Sequence, residues 1–209
     1  FSYLVLRGKS SCCDKRISLH YPLVELFIGF AAVYFFIING YTLESFFSTL
    51  FIMGLVILFF TDLEHYIIPN EITYGFSILA IIISAININP FYISLSNSLM
   101  GGIISGLLLY MTSKIYLLIR KREGMGMGDV KMIAMIGFWM GLPTTIMIII
   151  ASSILGSIVG IVLILFKKIK PKKLIPYGSF LSLTSILIWI YNIISSFYEF
   201  EKNIFSFLI

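Results

Sequence analysis

Asp62 and Asp129 stand out among the ten acidic residues of this 209-residue chain. Asp62 closes the apolar run FIMGLVILFFT, and Asp129 separates the glycine stretch GMGMG from the apolar run VKMIAMIGFWM. Each carboxylate is therefore expected at a helix end near the edge of a hydrocarbon layer, where an ionised group is expensive and points to function. Brought together, two carboxylates share one proton, because like charges a few ångströms apart do not both ionise. One then acts as base toward a water while the other, protonated, polarises a peptide carbonyl. This is the chemistry of aspartic proteolysis, and it belongs to the pair rather than to an assigned base and an assigned acid. Gly126 and Gly128 lack Cβ atoms, permit positive φ and let a substrate backbone approach the carboxylate.

Each of these residues also has a plainer role. Asp129 after a glycine is a good N-cap for a helix beginning at Val130. Asp62 can end its helix at the headgroups, with Glu64 and His65 as solvated loop residues. Asn70 and Glu71, just after Pro69, read as a helix start. His20 and His65 have no second His or Cys at ligand spacing and read as interfacial residues. The adjacent Cys12 and Cys13 give neither a spaced disulfide framework nor a complete ligand set, so no metal is expected.

The elements that must position the aspartates follow from composition. With 59% hydrophobic and 12% charged residues and a mean hydropathy of +1.01, the chain is too apolar for a soluble domain. Apolar runs fall at 23–39, 45–60, 72–88, 95–118, 130–142, 144–166 and 177–194. The expected fold is an all-α polytopic membrane protein with about seven transmembrane helices. The run at 130–142 is short, about 20 Å if helical, and Pro143 divides it from the next. No basic-then-apolar leader precedes the first run, so no signal peptide is read; with Phe at position 1 the chain reads as a fragment.

Alternating seven helices puts every Lys and Arg except Lys202 on one side of the membrane. By the positive-inside rule that side is the cytoplasm, and the loops at Asp62 and Asp129 both face it. The net charge of +5 is then a topology signal rather than a nucleic-acid footprint. Gly102 and Gly106, Gly137 and Gly141, and Gly156 and Gly160 form small-xxx-small pairs expected to pack helices closely. No internal repeat is visible.

Four stretches together resemble the type 4 prepilin leader peptidases, membrane aspartic proteases of the GxGD kind. They are YPLVELFIG from Tyr21, TDLEHYIIPNEIT from Thr61, EGMGMGDVKMIAMIGFWMG from Glu123 and IPYGSFLSL from Ile175. Their order covers nearly the whole chain. The resemblance implies that Asp62 and Asp129 are the catalytic pair, that Gly126 and Gly128 are the two glycines of GxGD, and that Lys131 belongs to the same block, if only by snorkelling. It implies removal of the short basic leader of type IV prepilins or pilin-like precursors at the cytoplasmic face of the inner membrane. The partners implied are that precursor and the lipid bilayer, without nucleic acid.

Many bacterial members also methylate the new N-terminus with S-adenosylmethionine and hold zinc on two CxxC pairs. Here RGKSSCCDKRIS lines up with the second pair, so Cys13 takes one ligand position while Ser10 replaces the other, and the first pair would lie upstream of Phe1. The peptidase needs no cofactor; zinc and S-adenosylmethionine are expected only with such an upstream domain, and methyl transfer is not expected of this chain. Glu25 matches the carboxylate of the block associated with methylation, or is an acid in a helix's first turn.

The expected organisation is a cytoplasmic remnant at 1–21, a transmembrane peptidase domain at 22–196 and a short extracytoplasmic tail at 197–209. The receiving face is strongly basic, so net charge does not steer a basic leader in. Glu64, Glu71 and Glu123 are expected to form a leader-facing rim. Two rivals remain: a transporter with an acidic ion relay, which favours carboxylates nearer mid-membrane, and a non-catalytic component of pilin assembly, which tolerates loss of both aspartates.

Overall fold

The computed structural model describes residues 20–121, 124–166 and 176–191. The secondary structure found there is helical: α1 (His20–Asn39), α2 (Leu43–His65), α3 (Asn70–Ala85), α4 (Leu95–Arg120), α5 (Met127–Leu165) and α6 (Tyr177–Tyr191). By length and composition α1, α2, α4 and α5 are long and apolar enough to cross a membrane. The described α3, with 16 residues, is about 24 Å long, shorter than a hydrocarbon core of about 30 Å. The all-helical, polytopic character expected from the sequence is therefore present.

The chain divides into two compact units between Val56 and Ile57, within α2. In the first, Gly40 turns the chain at φ 69° between α1 and α2. Ser45 then donates its hydroxyl to the carbonyls of Gly40 at 2.9 Å and Phe35 at 3.2 Å. Glu25 is exposed on α1 and lies beyond the helix's first turn, which holds no acidic residue. The expectation of a first-turn acid is corrected accordingly.

The second unit is built around the first half of α5. From Val130 to Met140 that helix is apolar nearly all round, and Met132, Ile133, Met135, Ile136 and Trp139 are fully buried; a helix of that kind is an interior one. Trp139 donates its indole N–H to the Phe76 carbonyl of α3 at 2.9 Å. Against another face lies α4, whose buried residues Ser98, Gly101, Gly102, Ser105 and Gly106 form one small-residue stripe. A Cβ on Gly101 would strike the Gly137 carbonyl, and one on Gly137 would strike the Gly101 carbonyl and stand 2.6 Å from Ser105 Oγ. The two backbones thus touch, the close approach that small residues allow where water does not drive association. The first two glycine pairs read from the sequence do pack α4 on α5, with Gly101 as an additional member.

α5 is a single run of residues but not a single helix. Gly141 has φ 75° and ψ 170°, a region open essentially only to glycine, and Pro143 follows two residues later. Proline has no N–H to offer the Trp139 carbonyl; that carbonyl accepts from Asn89 Nδ2 at 3.4 Å, and the Phe138 carbonyl beside it accepts from Ser98 Oγ at 2.6 Å. Neighbouring side chains thus re-satisfy a broken ladder, the condition for a break inside an apolar layer. The expected division of 130–166 into two helices is found, with the break at Gly141 rather than at Pro143.

α6 docks on three partners. Its Tyr177 hydroxyl lies 3.0 Å from Ser152 Oγ and 3.1 Å from Ser153 Oγ on the second half of α5. Trp189 meets the Phe91 ring at 5.2 Å. The Ser179 hydroxyl donates to the Phe59 carbonyl of α2 at 3.1 Å.

Candidate active site

Asp62 sits in the last turn of α2, not after it: the helix runs on to His65 and stops where Tyr66 turns to φ 57°. Tyr66 N–H still donates to the Asp62 carbonyl at 2.9 Å. Asp129 likewise lies inside its helix. α5 begins at Met127 with Gly126 as the residue before it, so Asp129 is the third helical residue and not the N-cap expected for a helix from Val130. Its side chain accepts from the backbone of Gly126, the reach-back of a capping box, which satisfies a donor that the helix start leaves open. Both aspartates are buried, at 5% and 8% exposure.

What joins them is the start of α6. The backbone N–H of Ser179 donates to Asp62 Oδ2 at 2.6 Å, and the Ser179 hydroxyl lies 3.1 Å from the same oxygen. The preceding amide, that of Gly178, is a hydrogen-bond partner of Asp129. Consecutive residues are about 3.8 Å apart, so the two carboxylates meet at one helix N-terminus, whose open amides and dipole suit negative charge. Asp129 lies within the electric field of Asp62. Gly178 makes room for this: a Cβ there would stand 3.0 Å from Asp62 Oδ2 and 2.7 Å from Ile68 Cδ1.

Both aspartates open on one cavity of about 580 Å³. Its wall includes the segment from Tyr66 to Ile68, the glycine loop at Gly124, Met125 and Gly126, and Pro176 and Tyr177 at the mouth of α6. Lys131 and Asn70 also line it. Lys131 Nζ donates to Asn70 Oδ1 at 2.9 Å and stands 5.3 Å from the centre of the Tyr74 ring. The lysine thereby ties α5 to the first turn of α3, which does begin at Asn70.

The glycines work differently from expectation. Gly126 has φ −72°, and neither it nor Gly128 is among the glycines with positive φ. A Cβ on Gly128 would lie 3.1 Å from Ile68 Cβ. Gly128 therefore lets the loop after α2 close down on α5, which brings Asp62 toward Asp129. Gly126 lines the cavity with nothing closer to its missing Cβ than Asp129 Oδ2 at 3.8 Å, leaving space beside the carboxylate.

Glu64 and Glu71 are exposed and do not line the cavity; Glu64 lies 3.9 Å from His65 Nε2. Glu123, Ser10, Cys12 and Cys13 lie outside the described residues. Among the described residues no three His, Cys, Asp or Glu converge as metal ligands would. Gly178 and Ser179 carry no charge and match no ligand pattern, so the residues alone gave them no role. The signal that points to them is their place in the IPYGSFLSL stretch.

These features define a class: an all-helical, strongly apolar chain with two buried aspartates gathered at helix ends around one cavity. Comparison with known sequences makes the assignment more specific. The sequence model of the Type IV leader peptidase family matches residues 49–161, and that of the bacterial peptidase A24 N-terminal domain matches residues 1–39. The chain belongs to the type IV leader peptidase family. It is 31% identical over 203 residues to the prepilin leader peptidase/N-methyltransferase of Stutzerimonas stutzeri, covering 96% of this chain and 69% of that protein. Proteins of the same name from Pseudomonas aeruginosa and Legionella pneumophila are each 30% identical, over 90% and 88% of this chain and 64% and 63% of theirs. The chain thus spans about two thirds of the length of these relatives. No solved structure is significantly similar to it.

Proposed function

We propose that the chain is an aspartic endopeptidase that removes the short basic leader from type IV prepilins or pilin-like precursors at the cytoplasmic face of the inner membrane, with Asp62 and Asp129 as the catalytic pair. The observation that carries this reading is the pair itself: two buried carboxylates held by the consecutive amides of Gly178 and Ser179 beside a cavity. Family membership supports it. The seven-span topology, with the cavity mouth toward the cytoplasm, rests on the distribution of Lys and Arg.

The chemistry follows from the arrangement. Two carboxylates gathered at one helix start share one proton. The ionised member takes a proton from a water, which attacks the scissile carbonyl carbon; the protonated member donates to the carbonyl oxygen as it gains charge. The tetrahedral intermediate then collapses as the leaving amine takes up a proton, and the pair returns to its one-proton state. Two carboxylates and a water suffice, without metal or cofactor. Ile67, Ile68 and the Gly124–Gly126 loop line the same cavity as the pair and are the surfaces a substrate segment entering it would meet.

The test is cleavage of a membrane-embedded prepilin-type substrate by the purified chain beside Asp62→Asn and Asp129→Asn. Both variants keep shape and lose the ability to cycle a proton. The expected result is cutting at the leader junction by the parent and a loss of at least about 1,000-fold in each variant. A variant that keeps parent activity removes that aspartate from the pair.

A further inference from the structure

Ser179 presents one hydroxyl proton to two acceptors. The hydroxyl oxygen lies 3.1 Å from the Phe59 carbonyl and 3.1 Å from Asp62 Oδ2. A serine hydroxyl carries a single donor and two lone pairs and rotates freely about its C–O bond. Its backbone N–H, at 2.6 Å from the same carboxylate oxygen, supplies a donor that does not rotate. Ser179 is 3% exposed, so bulk solvent has little access to its hydroxyl.

We propose that Ser179 is a positioning residue whose hydroxyl rotates between Asp62 and the Phe59 carbonyl, keeping Asp62 in one orientation through both protonation states of the catalytic cycle. When Asp62 is ionised, the hydroxyl donates to Oδ2. When Asp62 is protonated, the proton resides on Oδ1, the oxygen that does not carry the two Ser179 donors; Oδ2 then carries less charge and keeps the amide, and the serine proton turns to Phe59. The serine proton has an acceptor in both states, and no heavy atom moves. An aliphatic side chain leaves the amide as the one donor from this residue, so the ionised form loses its second hydrogen bond. The proposal rests on the aspartic-protease reading, because only a carboxylate that changes protonation within each turnover has use for a rotor.

The experiment compares Ser179→Ala, which keeps the amide and removes the rotor, with Ser179→Thr, which keeps both. In the cleavage assay Ser179→Ala is expected to lose about tenfold in kcat at unchanged KM, the scale of one hydrogen bond to a charged group, and Ser179→Thr to recover most of that loss. A readout independent of turnover is the infrared C=O stretch of the carboxyl groups. It is expected to shift in Ser179→Ala, and the shift is expected to vanish when the same change is made in an Asp62→Asn background. Parent kcat in Ser179→Ala, or an unshifted carboxyl band, overturns the rotor. If Asp62→Asn and Asp129→Asn cleave as well as the parent, the underlying reading fails, and the rotor's catalytic role fails with it. If those variants are dead while Ser179→Ala is fully active, the rotor alone fails.

Discussion

Gly178→Ala asks how tightly the aspartate pair is held. The added Cβ would stand 2.7 Å from Ile68 Cδ1, 3.0 Å from Asp62 Oδ2 and 3.1 Å from Asp62 Cγ. Non-bonded carbon atoms rest at about 3.5–4.0 Å, so each neighbour has to yield by about half an ångström or more. Ile68 can swing its terminal methyl away. Asp62 cannot retreat without stretching the 2.6 Å bond from the Ser179 amide, and any tilt of α6 that spares Asp62 pulls the Gly178 amide from Asp129. A displacement of about 1 Å at a reacting group costs about 100-fold in rate, so about half that displacement at Asp62 costs about tenfold, whereas overpacking of this kind costs about 1–3 kcal/mol of stability. The expected outcome is therefore a kcat lower by about tenfold in a protein that remains folded, measured by steady-state cleavage beside thermal unfolding in detergent. Gly75→Ala is the control: its added Cβ meets nothing within 4 Å on α3. A Gly178→Ala enzyme that loses no more kcat than Gly75→Ala refutes the claim that the start of α6 fixes the pair.

Gly137→Ala places a methyl against the Gly101 carbonyl of α4, and backbone cannot swing aside as a side chain does. The expected effect is a loss of about 3 kcal/mol or more, seen as a lower unfolding temperature in detergent with KM of the surviving fraction unchanged. Neutralising Glu64, Glu71 and Glu123 together to Gln is expected to raise KM for a basic-leader substrate about tenfold while leaving kcat within about twofold, the scale of a few exposed charge pairs. The difference is expected to shrink at high salt, and an unchanged KM at low salt removes the rim.

The two aspartates were legible in the sequence because charge is rare in this chain and both stand against apolar runs. Helix bounds were legible where apolar runs ended in breakers, as at Pro69 before α3, and less so where local propensity was overruled. Met127 and Gly128 read as loop because glycine is a poor helix former; packing of Gly128 on Ile68 and the reach of Asp129 back to Gly126 draw them into α5. Pro143 marked the break in α5, but the distortion falls at Gly141, the residue able to take φ 75°. The clamp at Gly178 and Ser179 escaped the residue-level reading because its donors are backbone amides, which every residue but proline carries. Only the docking of α6 on α2 aims them at a target.

The order of these elements along the chain has a consequence for biosynthesis. α2 emerges first, α5 next and α6 last, so the amides that gather the aspartates are made after both. At roughly 5–20 residues per second, a nascent chain carries Asp129 for some seconds, about 3–10 s, before residue 179 exists. On the proposed reading the unfinished enzyme is inert in the membrane among the precursors it will later cut.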